Sequence, residues 1–145
     1  MFTEIKNISS NELKKQILKK FKRCSPPLIF DRKFTLCSEE DWREILKNNS
    51  VKDIPFYNEL FDCNRYSKGL ISEISKWQVN IYNSEKKNKY KFPVAIGFCL
   101  TDIGNGNYHA VCLILTSEFD FLFIEPQTNE IIKISDYDSV IFVDF

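Results

Sequence analysis

The change of period at Phe92 constrains this chain more than any other feature of it. Before that point apolar residues recur at helical spacing, and after it they come in short strand-like runs. Phe92 to Leu100, Tyr108 to Leu115, Phe121 to Glu125, Glu130 to Ile134 and Val140 to Val143 are separated by turns at 101–107, 116–120, 126–129 and 135–139. Those connections are too short for helical crossovers, which predicts an antiparallel sheet. Strand parity then groups side chains. His109 shares a face with Val111 and Leu113, and Glu125 shares one with Phe121, Phe123 and Gln127. A hairpin that pairs odd positions with odd places Glu125 and Gln127 beside His109, and a slip of one residue sends them to the opposite face.

The first part of the chain carries three helical stripes. Ser9 to Glu12 offers a capping box, followed by Leu13, Ile17, Leu18 and Phe21, and this helix is expected to end before Pro26-Pro27. Its other face is basic, with Lys14, Lys15, Lys19, Lys20, Lys22 and Arg23, the pattern of a solvated outer face or of a helix lying on an anionic surface. Leu28 to Asp31 reads as a short extended piece. Ser38 then caps a second helix with acids in its first turn and Trp42, Ile45 and Leu46 facing inward. The third begins at Cys63 behind the N-cap Asp62, carries Tyr66, Leu70, Ile71, Ile74 and Trp77 on one stripe, and runs to about Asn80, with a polar loop over 83–91.

A cysteine on the first turn of a helix meets unpaired N–H groups and the positive end of the peptide dipoles, which favour thiolate. The sole histidine, His109, follows in a glycine-rich turn running into a strand, and Glu125 and Gln127 close a later strand. Attack by a thiol on an acyl carbon needs a base and a group that holds the imidazole, and these residues come in that order. The expectation is a His109 ring within about 4 Å of the Cys63 sulfur. Glu125 is the expected partner of the ring's far nitrogen because a charge-assisted bond is the stronger one, with Gln127 as the alternate. Asn58, shortly before the helix, is the oxyanion candidate. The structural reading stands beside this: a cysteine on an apolar stripe is ordinary core, and an asparagine before a helix makes a turn.

Composition sets the remaining bounds. With 145 residues and 43% apolar content, one domain with a substantial core is expected over 1–145: a basic N-terminal helix within 1–27, a helical part over 28–91 holding Cys63, and a sheet over 92–145 holding His109 and Glu125. Net charge is zero, yet residues 1–91 hold 19 Lys/Arg against 12 Asp/Glu while residues 92–145 hold 1 against 8, so the chain is electrically polarised. Aromatic-interleaved basic motifs are absent, which speaks against nucleic acid. Five cysteines without a C-x-x-C spacing suggest neither a disulfide framework nor a zinc site. The N-terminus lacks a signal-peptide pattern and no run approaches the ~18 apolar residues of a membrane span, so a cytoplasmic setting is expected.

Three stretches carry a resemblance: Asp31-Arg32-Lys33-Phe34-Thr35-Leu36-Cys37-Ser38-Glu39-Glu40-Asp41-Trp42, Phe61-Asp62-Cys63 and Ile124-Glu125-Pro126-Gln127-Thr128. They resemble a group of uncharacterised phage and bacterial proteins that is in turn similar to the papain-like cysteine peptidase domain of the fairy-ring mushroom agglutinin, over roughly residues 31–143. The resemblance implies a papain-like α+β fold and a thiol protease acting on peptide or protein substrates, with Cys63 as nucleophile, His109 as base and Glu125 as the residue orienting it. It also implies calcium. Where that family carries acids after the cysteine, this chain has Asn64 and Arg65, which removes the ligands a hard cation needs and leaves no cofactor expected. Two further readings use the same residues: a catalytically silent papain-like binding or inhibitor module, and a transglutaminase-like acyl transferase.

Overall fold

A computed structural model describes residues 6–56, 62–84 and 91–145. Its elements follow the order β1 (Lys6–Ser9), α1 (Ser10–Lys20), β2 (Lys33–Leu36), α2 (Glu39–Lys47), α3 (Cys63–Tyr82), β3 (Ile96–Gly104), β4 (Asn107–Leu115), β5 (Phe121–Glu125), β6 (Glu130–Lys133) and β7 (Val140–Asp144). The class is α+β. Five strands form one antiparallel sheet in the order β6-β5-β4-β3-β7, and β1 pairs with β2 in a separate ribbon.

Local chemistry accounts for the helix starts. Ser9 Oγ accepts the Glu12 N–H. Ser38 and Asp41 satisfy each other's backbone N–H groups as a reciprocal box. Asp62 Oδ1 accepts the Arg65 N–H at the head of α3. The β3–β4 hairpin turns through Gly104, Asn105 and Gly106, all at positive φ, so the strand runs four residues further than the alternation of its side chains indicates.

Alternation along β4 divides the core in two. Val111, Leu113 and Leu115 pack with Ile8, Leu13, Ile17 and Phe21, so β1 and α1 cover one face of the sheet. Cys112 and Ile114 pack with Trp42, Ile45, Leu46, Leu70 and Ile74, so α2 and α3 cover the other. Each fully buried Leu or Ile in these layers adds roughly 1.5–3 kcal/mol. The free edge of β7 is covered by the segment through Leu28: Leu28 N–H donates to Val143 O at 3.1 Å, Phe145 N–H to Leu28 O at 2.8 Å and Phe30 N–H to Phe145 O at 3.3 Å. The ribbon is tied to the sheet through Thr35, whose N–H donates to Pro93 O at 2.7 Å and whose carbonyl accepts from Ala95 N–H at 2.9 Å.

Candidate functional site

At the start of α3, Cys63 is half-buried, and Asp62 occupies one of the helix's free N–H groups. The Arg65 guanidinium lies 3.6 Å from the same Asp62 carboxylate, so its charge is shared with an acid rather than directed at the thiol alone. Among the described residues no three His, Cys, Asp or Glu side chains gather. One turn on, the Tyr66 hydroxyl donates to the Ile54 carbonyl.

His109 and Glu125 are brought together. The β4–β5 register pairs Leu113 with Phe123, odd with odd, and His109 Nε2 lies 2.6 Å from Glu125 Oε2. Glu125 Oε1 accepts the Gln127 backbone N–H at 3.2 Å, so Gln127 serves the carboxylate through its main chain. Thr101 Oγ1 donates to the His109 carbonyl at 2.9 Å. The bond to Glu125 pushes the His109 pKa up, burial of the ring opposes it, and the carboxylate's charge adds to the rise.

Cys63 stands at the head of α3 and His109 in β4. Among the described residues no hydrogen bond joins the Cys63 sulfur to the imidazole, and the causes that set the His109 pKa are Glu125 and burial. Asn58 lies outside the described residues.

Linkage fixes the sign of a pH effect at this pair. The folded-state pKa of His109 is raised above its ordinary 6.5. The bond to Glu125 therefore contributes stability that is fully present below that ordinary value and is lost as pH rises through the raised one. The melting-temperature gap between wild type and Glu125→Gln is expected to shrink as pH rises above the ordinary 6.5, with the His109 ring titrating lower in the variant by NMR. A gap that widens with pH would contradict the pairing.

The other thiols are core. Burial, then the Asp41 charge, pushes Cys37 up to about 12. Burial also drives Cys99 and Cys112 far above the usual thiol range, and Cys112 Sγ donates to the Ser67 carbonyl at 3.4 Å. Alkylation requires an accessible thiolate. Iodoacetamide is expected to label Cys63 first, Cys24 more slowly, and Cys37, Cys99 and Cys112 only on unfolding, as peptide mapping by mass spectrometry reads directly. Native labelling of Cys112 at the rate of Cys63 would refute this packing.

Sequence reasoning missed a cleft between the end of α2 and the outer side of α3. Asn48, Asn49, Glu73, Lys76, Trp77 and Asn80 line a space of about 320 Å³. Asn49 is fixed there by donating to Asn129 Oδ1 at 2.8 Å and accepting the Val51 N–H at 3.0 Å, while Asn129 Nδ2 donates to the Leu46 carbonyl at 3.2 Å. Asn48 and Asn80 are exposed, Trp77 is half-buried, and Lys76 pairs with Glu73 at 3.1 Å. The result is an indole flanked by amides and one acid–base pair. In sequence, Asn48-Asn49 reads as a helix breaker, and no local pattern connects it to Trp77.

No protein-family model matches the chain, and no curated protein sequence does. Solved structures do. One described as "PSL1a-E64 complex" superposes with a TM-score of 0.74 at 16% identity, covering 96% of this chain and 50% of that one. A second, Polyporus squamosus lectin bound to the human-type influenza-binding epitope Neu5Aca2-6Galb1-4GlcNAc, gives 0.72 at 14% identity, covering 96% and 49%. This chain thus spans about half the length of the structures it matches. These neighbours correct the resemblance drawn from sequence. One is described as a complex with E64 and the other as a lectin with its sialylated epitope, and neither description names a papain-like peptidase, so the agglutinin part of the resemblance is right in part, and the cysteine-protease and hydrolase assignment with its peptide substrate is corrected: the binding-module alternative is the better backed of the two. Among the described residues no helix is long and apolar enough to cross a membrane. At such identities the likeness establishes a fold, and this chain shares that fold with the matched half of a fungal lectin.

Proposed function

We propose that this chain is a carbohydrate-binding module, papain-like in laying a central helix on an antiparallel sheet but without hydrolytic work for its thiol. The observation that carries the reading is the Trp77 cleft. Sugars present apolar C–H faces, which stack on an indole, and rings of hydroxyls, which amides can serve as donor and acceptor together. Asn48 and Asn80 beside Trp77 supply that combination, in a space at the lower end of the range for small-ligand sites. The sialylated lactosamine held by the Polyporus squamosus lectin supports the ligand class. In this reading His109 and Glu125 fasten the ends of β4 and β5, and Cys63 completes the first turn of α3.

The test is a titration with Galβ1-4GlcNAc followed by NMR. Shifts at the Trp77 indole N–H, and at the Asn48 and Asn80 side-chain amides, are expected at millimolar sugar. Cys63→Ala is expected to bind equally. Spectra unchanged at that concentration would refute the reading.

A further inference from the structure

Among the described residues α1 is the only one of the three helices that forms no ion pair. In α2, Arg43 lies 2.6 Å from Glu39 and Lys47 is bonded to Glu44. In α3, Arg65 lies 3.6 Å from Asp62 and Lys76 3.1 Å from Glu73. The single acid of α1, Glu12, instead accepts from the Gln16 side-chain amide at 3.0 Å. We infer that the outer side of α1 docks on an anionic lipid surface. Neither this face nor its ligand belongs to the Trp77 cleft, so the inference is independent of the carbohydrate reading.

The fold fixes which side of α1 is offered. Leu13 and Ile17, followed by Phe21, are buried in the layer that covers the sheet, so the apolar stripe is used by the core and the helix cannot sink into a bilayer along it. Outward it presents Lys14, Leu18, Lys15 and Lys19 over an arc of about 140°, with Lys22 just past the C-cap Phe21, and all five are exposed. Two neighbouring cations are not part of this face: Lys20 lies over the Tyr137 ring, and Arg23 pairs with Asp102 at 3.4 Å.

Folding has little use for charge concentrated in this way. The helix dipole favours Lys19 in the last turn, but Lys14 and Lys15 stand ahead of that turn. Lys15 and Lys19, four residues apart, repel each other. A solvated face is served as well by mixed charge, which is what α2 carries.

Three features favour a bilayer over other polyanions. The face holds lysines and no arginine, which suits a diffuse array of headgroups better than bidentate capture of single phosphates. It presents no aromatic ring on which bases could stack. Leu18, 39% exposed among the ammonium groups, supplies an apolar side chain for the boundary between headgroups and acyl chains.

The experiment is co-sedimentation of the whole chain with vesicles of phosphatidylcholine alone and of phosphatidylcholine containing phosphatidylserine at about one lipid in three. Binding is expected only to the anionic vesicles, and raising salt from about 0.05 M to about 0.5 M should release the protein. Lys14→Gln combined with Lys15→Gln should weaken binding at least about tenfold while melting with the wild type, since neither side chain has a partner to lose. Lys47→Gln combined with Lys133→Gln removes the same charge elsewhere and should weaken it by less than about threefold. Equal binding to both vesicles, no binding to either, or equal weakening by the two double variants overturns the inference. Retention on heparin or on a DNA duplex without binding to the anionic vesicles also overturns it, and would give the face to a soluble polyanion.

Discussion

Trp77→Ala is expected to weaken Galβ1-4GlcNAc binding about a hundredfold, the loss of about 2–4 kcal/mol that follows removal of a central aromatic anchor. The indole gives the cleft its one broad flat surface, so its removal takes away the stacking face and lets water onto the amides that remain. Trp77 also packs against the core cluster around Leu70 and Ile74, and the truncation will lower stability as well. Asn80→Leu separates the two effects. Asn80 is exposed on the last turns of α3 and lines the cleft, so replacing its amide should weaken binding about tenfold with little change in melting temperature. Calorimetry on both variants decides the matter. Wild-type affinity in Asn80→Leu, together with a Trp77→Ala defect no larger than its loss of folded protein explains, would remove the cleft from consideration.

Gly97→Ala is expected to be the most damaging single methyl in the sheet. A Cβ at Gly97 would lie 2.6 Å from the Asp144 carbonyl oxygen and 2.6 Å from the Phe145 ring. The ring could turn, but the carbonyl belongs to β7, which is paired to β3 with Phe98 opposite Asp144 and tied on its other edge to Leu28. Moving it disturbs both neighbours, at about 1–3 kcal/mol or more. That corresponds to a fall in melting temperature on the order of 5–10 °C. Gly104→Ala provides the comparison: it meets open space but sits at φ 92°, so its cost is conformational, about 1 kcal/mol. A Gly97→Ala protein that melts with the wild type would mean that β7 does not approach β3 this closely.

Much of the element list is legible in sequence because it depends on neighbours in the chain. Ser38 and Asp41 form a box because they are three residues apart, and Phe121 to Glu125 is a strand because its alternation is unbroken and turns bound it on both sides. The β1–β2 ribbon was not legible. Lys6 to Ser9 is four residues with a single buried side chain, and its partner Lys33 to Leu36 follows a proline-containing loop, so the pairing is specified by packing of Ile8 and Phe34 rather than by local pattern. The odd-with-odd register that brings Glu125 to His109 follows from the sequence only once the turn geometry is known, and here Phe119 in a left-handed conformation supplies it.

By itself the sequence determined the α+β class, the antiparallel sheet and the three helix starts, since capping, period and short turns act over a few residues. Tertiary structure alone decided which face of the sheet each helix covers. Strand alternation gives every side chain one of two sides but does not say which helix will occupy either. The structure puts α1 on the side of Val111 and Leu113 and α3 on the side of Cys112 and Ile114. The same packing laid the end of α2 along α3, and so brought Asn48 to Trp77 from positions that no local interaction connects.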